Sequence, residues 1–221
     1  MEKQEMELYH IHKLGNSYDK KWSVNNTINV SPSFNSEMFK RQMSFSQSVL
    51  FDGKMRNFYE LLPRYIERLS SSNSVSIEEL KAISNLLRTS FALTYKADFF
   101  KREAALEDCR KVYDITLPSR LHSIYLCDED GLEYWKDTLE ECSPNGFDAY
   151  KVLVTGKIFK TNEQLLPDEE ANYGDAYNQA FKYWHPKFKD VPECTNEYLA
   201  QGKIKILSNC LLYTSPSPRD A

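Results

Sequence analysis

No stretch of this 221-residue chain approaches the eighteen or so consecutive apolar residues that a membrane-spanning helix needs. The opening residues Met1-Glu2-Lys3-Gln4-Glu5 carry charge with no apolar segment behind them, so no secretory leader is written there, and a soluble cytoplasmic protein is expected. Cys109, Cys127, Cys142 and Cys194 are scattered without a Cys-x-x-Cys pair, which signals neither a disulfide framework nor a cysteine-based zinc site. His122 and His185 have no close companion at metal-ligand spacing, and no metal is expected. Also missing are a Gly-x-x-x-x-Gly-Lys-Ser/Thr loop, Gly-x-Gly-x-x-Gly, Gly-x-Ser-x-Gly and His-Glu-x-x-His. Their absence removes the commonest nucleotide, esterase and metalloprotease readings.

The chain has 28 basic against 32 acidic side chains, a net charge of −4, which argues against a surface given over to gripping nucleic-acid phosphate. The length suits a single core, so residues 1–209 are expected to form one domain. The last segment, from Cys210 to Ala221, reads back through its codons as an in-frame sequencing adapter and is expected to be a non-native tail beginning after Asn209.

Hydrophobic spacing sketches the elements between. Alternation predicts strands over 7–13, ending at Gly15-Asn16, and over 27–30, ending before Pro32. Phe58, Leu61, Leu62, Tyr65, Ile66 and Leu69 recur at helical spacing, with Pro63 expected to kink or split the run. Ser76 and Glu79 have the spacing of a capping box. The helix that they start is expected to bury Leu80, Ile83, Leu87, Phe91 and Tyr95, and a second helix is expected from about 98 to 113. Further on come a strand over 121–126, a helix over 129–139 and a long strand over 150–159 in which Gly156 is read as a bulge. Tyr173, Tyr177, Phe181 and Trp184 mark a last helix, stopped at His185-Pro186, and 203–207 a last strand.

Three segments carry chemistry: Leu8-Tyr9-His10-Ile11-His12; Pro118-Ser119-Arg120-Leu121-His122-Ser123-Ile124-Tyr125-Leu126 with Tyr134-Trp135 behind it; and Thr195-Asn196-Glu197-Tyr198-Leu199. In that order they resemble the His-Tyr-Glu signature of the ADP-ribosyltransferase fold, and the whole is similar to a bacterial family known only as a domain of unknown function within that group. The resemblance implies an α+β fold with a split, mainly antiparallel sheet and a helical insertion at about 54–113. It implies NAD as substrate, because cleaving the nicotinamide–ribose bond develops an oxocarbenium-like cation that a carboxylate can stabilise.

In this likeness His10 would hold the adenosine-side ribose, Tyr125 and Tyr134 would bracket nicotinamide, and Glu197 would stabilise the developing cation. Ser119 and Arg120 could bind the diphosphate, since a guanidinium offers a planar fork to phosphate oxygens. Alternatives stay open: His12 shares a strand face with His10, Trp135 could replace Tyr134, Glu193 neighbours Glu197, and Arg120 could simply pair with a carboxylate. The acceptor implied is a protein or nucleic acid, with an antitoxin or immunity partner for a toxin-type member. The rival reading is a catalytically inactive nucleotide- or protein-binding module of the same fold.

Overall fold

A computed structural model describes residues 4–210 apart from 16–18, 47, 52, 73, 141, 142 and 144. The fold is α+β, a curled antiparallel sheet with helices against its outer face. Strands β1 (Gln4–Lys13) and β2 (Thr27–Val30) come first, then helix α1 (Glu37–Met43) and a separate hairpin of β3 (Ser48–Phe51) and β4 (Lys54–Asn57). Helices α2 (Phe58–Ser70) and α3 (Ile77–Tyr113) follow, then β5 (Ile124–Leu126), α4 (Leu132–Glu140), β6 (Phe147–Asn162), α5 (Tyr173–Trp184) and β7 (Asn196–Cys210).

The long strands β6 and β7 pair along their whole length, from Asn162↔Asn196 to Ala149↔Cys210, with one register shift beside Val152. β1 lies on the free edge of β6, while β2 and β5 share the other edge of β7. A bridge between Tyr9 and Cys127, two backbone hydrogen bonds of 2.8 and 2.9 Å, joins the end of β5 back to β1. The strands therefore run round almost to closure. Because side chains alternate across a strand, even-numbered positions of β6 and β7 (Val152, Val154, Ile158, Tyr198, Ala200, Ile204, Ile206) fill the inside together with Leu8, Ile28, Val30, Ile124 and Leu126. Phe159, Leu199 and Tyr125 face outward against Leu106, Cys109, Ala180, Tyr183 and Trp184 of α3 and α5.

Several elements differ from their sequence expectations for identifiable reasons. The two helices expected across 77–113 are one 37-residue helix, since Tyr95-Lys96-Ala97-Asp98 contains no glycine or proline to end it. Its capping box is formed: the Ser76 hydroxyl accepts from the Glu79 N–H at 3.2 Å, and Glu79 accepts from the Ser76 N–H at 2.9 Å. α2 runs through Pro63, where the lost hydrogen bond falls on the carbonyl of Tyr59 in the exposed first turn, within reach of water. The strand expected over 121–126 is shortened because Arg120–His122 forms a 3-10 turn capped by the Ser119 hydroxyl.

Gly156 is not a bulge. It pairs in register with Gly202, and a Cβ there would stand 2.1 Å from the Gln201 carbonyl oxygen, so glycine answers the close approach of two backbones. The largest difference lies on α3. Leu80, Leu87, Phe91 and Tyr95, expected to be buried, are exposed, and Leu86 and Leu93 instead join Phe58 in a small core with α2 and the β3–β4 hairpin. Cys142, Pro144 and the tail from Leu211 lie outside the described residues, whereas Cys210 ends β7 opposite Ala149.

Candidate functional site

Four of the residues singled out in the sequence meet on the outer face of the sheet. The loop after α3 is held down by Arg110, whose guanidinium donates to the carbonyls of Ile115 (2.9 Å) and Leu117 (2.8 Å) and pairs with Glu107 at 2.7 Å. Ser119 donates its hydroxyl to the same Glu107 carboxylate at 2.8 Å. This loop delivers Arg120 into a buried space between α3, α5 and β7. There the Arg120 Nε donates to Glu103 Oε2 at 2.8 Å, and its Nη1 donates to Glu197 Oε1 at 2.8 Å and to the Tyr183 hydroxyl. Tyr183 in turn donates to Glu197 Oε1 at 2.6 Å. Tyr125 donates its hydroxyl to the Arg120 carbonyl at 3.0 Å, and the guanidinium carbon lies 5.1 Å from its ring centre and 4.9 Å from that of Tyr183.

All the charged members are buried: Glu103, Arg120 and Glu197 expose 5 % or less of their surface. Burial opposes the charge on Arg120, but the carboxylate of Glu103, with Tyr125, Tyr183 and Glu197 behind it, carries its pKa well above the ordinary guanidinium value. The phenols of Tyr125 and Tyr183 are pushed far up, chiefly by burial and against the opposing pull of Arg120. Both are therefore neutral donors. Arg102 adds a second cation 3.8 Å from Glu103 while its Nη1 reaches Glu169 at 2.9 Å. Such a closed network fastens two helices to the sheet, and the fork of Arg120 is already filled by carboxylates.

His10 lies on the other face. It shares the inward parity of Leu8 on β1, stacks on Trp22 with ring centres 3.9 Å apart, and donates its Nδ1–H to the carbonyl of Tyr125 at 2.9 Å. Burial lowers its pKa to about 3, the neighbouring His12 lowering it further and the Tyr125 hydrogen bond opposing, so the ring is neutral. His12, on the same strand face, donates to Asp19 at 2.8 Å. The backbone of Tyr125 links His10 to the cluster round Glu197, whereas the Tyr125 side chain lies on the outward face with that cluster.

Tyr134 and Trp135 form a third group, on α4. The Trp135 indole N–H donates to the carbonyl of Asn196 at 2.9 Å and Tyr134 donates to Glu163. Burial and then that carboxylate push the Tyr134 phenol up to about 12. Trp135 thus ties α4 to the start of β7, next in sequence to Glu197, and Tyr134 ties it to the turn that follows β6. Glu193 is exposed in the preceding 3-10 turn.

Glu103, Tyr183 and Trp22 were not singled out from the sequence as site residues. Glu103 is one carboxylate among many on a long helix, and Tyr183 sits one place before the aromatic stripe residue Trp184, so neither carries a local signal. Outside these groups, a groove of about 550 Å³ between α3 and α5 is lined by Cys109, Val112, Tyr113, Tyr177, Asn178 and Phe181, and none of the candidate site residues borders it. Among the described residues, no three His, Cys, Asp or Glu side chains are grouped to hold a metal ion, and no helix is long and apolar enough to cross a membrane. Comparison with known families matches residues 8–211 to one described as a protein of unknown function, DUF2441. No curated protein matches the chain.

Proposed function

The chain belongs to the DUF2441 family over nearly its whole length, and we propose that it is a scaffold for binding a nucleotide, on an ADP-ribosyltransferase-like plan and without transfer activity of its own. One observation carries the reading: His10 and Glu197 stand on opposite faces of the sheet, and the Glu197 carboxylate is engaged by Arg120 and Tyr183 in a buried network. A carboxylate committed in this way is not presented to a ribose. The binding half of the reading rests on the order of the His, Tyr and Glu segments and on the half-buried aromatic rings of Tyr134 and Trp135. NAD is the ligand of the proposal and the cytoplasm its setting.

The second reading is an active transferase that modifies a protein or nucleic acid and is held in check by an antitoxin or immunity partner. It is favoured by the meeting of Tyr125, Arg120 and Glu197 on a single face. Calorimetric titration with NAD, beside chromatographic detection of nicotinamide release in the presence of a cell lysate, separates the two. NAD binding without nicotinamide release is the expected result. Release that disappears in Glu197→Gln and persists in Glu193→Gln would install the transferase; absence of NAD binding would leave a protein-binding module.

A further inference from the structure

One apolar face runs the length of α3, and this chain covers only its second half. Ala105, Leu106 and Cys109 are buried where α3 meets α5 and the sheet. At about 100° per residue they share a sector of the helix with Ile77, Leu80, Leu87, Phe91 and Tyr95, and the centres of the two groups agree to within about 10°. The earlier group is nonetheless between 45 % and 76 % exposed. Leu86 and Leu93, which pack against α2 and the hairpin, lie on the opposite side. α3 therefore overhangs the domain, and a bare seam about 27 Å long, at 1.5 Å per residue, continues the face by which the helix packs in its own fold. Contiguous apolar surface with the periodicity of a buried face marks an interaction site.

Shape and charge together identify the occupant. Because α5 and the sheet stand on the same side of α3, the seam lies in a corner: a flat lipid surface meets the body of the domain first, whereas a helix about 10–12 Å across fits beside it. From Leu80 to Ala97, α3 has three basic side chains, Lys81, Arg88 and Lys96, and no acidic one. Arg88 and Lys81 border the seam, about 60° and about 80° from its centre line. Both are exposed, and neither has a carboxylate partner among the described residues. Ile83, Ser90 and Thr94, along the opposite border, are uncharged. Glu79 and Asp98, which close the stretch at either end, are already matched, with Arg68 at 2.9 Å and with Lys101 at 2.7 Å. We infer that the seam is the docking site for an amphipathic helix of another protein, one whose apolar face is bordered by Asp or Glu. Its apolar face covers Leu80, Leu87 and Phe91, and its carboxylates meet Arg88 and Lys81, so that the bordering charges select the partner as they do beside a coiled-coil seam. A second copy of this chain would bring only its own acid-free stretch of α3.

Fluorescence anisotropy with the full chain and two synthetic peptides of about 21 residues, long enough to span the seam, tests this. One peptide carries leucines along one helical face bordered by glutamates, and the other has lysines in place of the glutamates. The expected result is saturable binding of the glutamate peptide below about 100 μM, with the lysine peptide at least about tenfold weaker. Leu87→Glu with Phe91→Glu should abolish binding and leave the circular dichroism unchanged, since both side chains are exposed. Lys81→Glu with Arg88→Glu should invert the preference, the lysine peptide now binding the tighter. A glutamate peptide that fails to bind at about 100 μM overturns the proposal. So does equal binding of the two peptides, which reports hydrophobic adhesion alone, and so does binding that survives Leu87→Glu with Phe91→Glu, which places it elsewhere. Co-sedimentation with phosphatidylserine vesicles, or a dimer at sedimentation equilibrium, that the same two substitutions remove would give the seam to lipid or to a second copy and overturn it as well.

Discussion

Replacing Arg120 by methionine removes the cation and keeps most of the stem, so the change isolates the charge at the centre of the buried network. Its guanidinium is the direct partner of two carboxylates, 2.8 Å from Glu103 and 2.8 Å from Glu197. Breaking one buried pair by deleting a partner costs about 3–5 kcal/mol. Here Glu197 keeps only the Tyr183 hydroxyl, while Glu103 keeps Arg102 at 3.8 Å, so the second loss is smaller than the first. The sum is about 5 kcal/mol, comparable with the whole stability of a small domain and equal to a fall of about 10–20 °C in Tm. Urea and thermal unfolding followed by tryptophan fluorescence and circular dichroism measure it.

Two further readouts make the argument specific. A buried carboxylate without its cation has a raised pKa; its native state then binds more protons than the unfolded chain, so the deficit of Arg120→Met should shrink as pH falls from 7 to 5. Adding Glu103→Gln and Glu197→Gln should recover at least about 2 kcal/mol, since replacing a whole buried ionic group is far milder than orphaning part of it. A deficit below about 1 kcal/mol, or neutralised carboxylates that deepen the loss, would refute the view that Arg120 is the counter-ion of this cluster.

Gly156→Ala should destabilise the sheet by about 2 kcal/mol or more in the same assay, because the new methyl meets backbone atoms of Gln201 and Gly202 that cannot turn aside; a loss under about 0.5 kcal/mol would contradict the close pairing. His10 is held neutral with its pKa lowered to about 3, so its contribution is present above the unfolded value of about 6.5 and lost as pH falls from there. That loss is at most about 1.4 kcal/mol per pH unit, less with solvent screening at a half-buried ring. The stability of His10→Asn should accordingly fall less steeply between pH 6.5 and 4 than that of the wild type, and parallel curves would count against a buried neutral imidazole.

Much of the architecture was legible because it is local. The alternation of Leu8, His10 and His12, the Ser76–Glu79 cap and the aromatic spacing that ends at Trp184 are each written within a few residues, and β1, the start of α3 and α5 follow from them. Period two established that His10 and His12 share a face, and the order of the motifs placed Tyr125 and Glu197 in strands of one sheet. It could not say which face of the curled sheet each strand presents. That depends on how the strands close round the inner core, and it separates His10 from Glu197. The partners of Arg120 lie 17, 63 and 77 residues away in the chain, and only the packing of α3 and α5 on β7 brings them to one guanidinium. For α3 the sequence determined that Leu80, Leu87 and Phe91 form an apolar stripe, because helical geometry alone aligns them. Whether that stripe is covered was decided by the tertiary structure, since a single chain has one small layer of α2 and hairpin to offer and spends it on the side of Leu86 and Leu93.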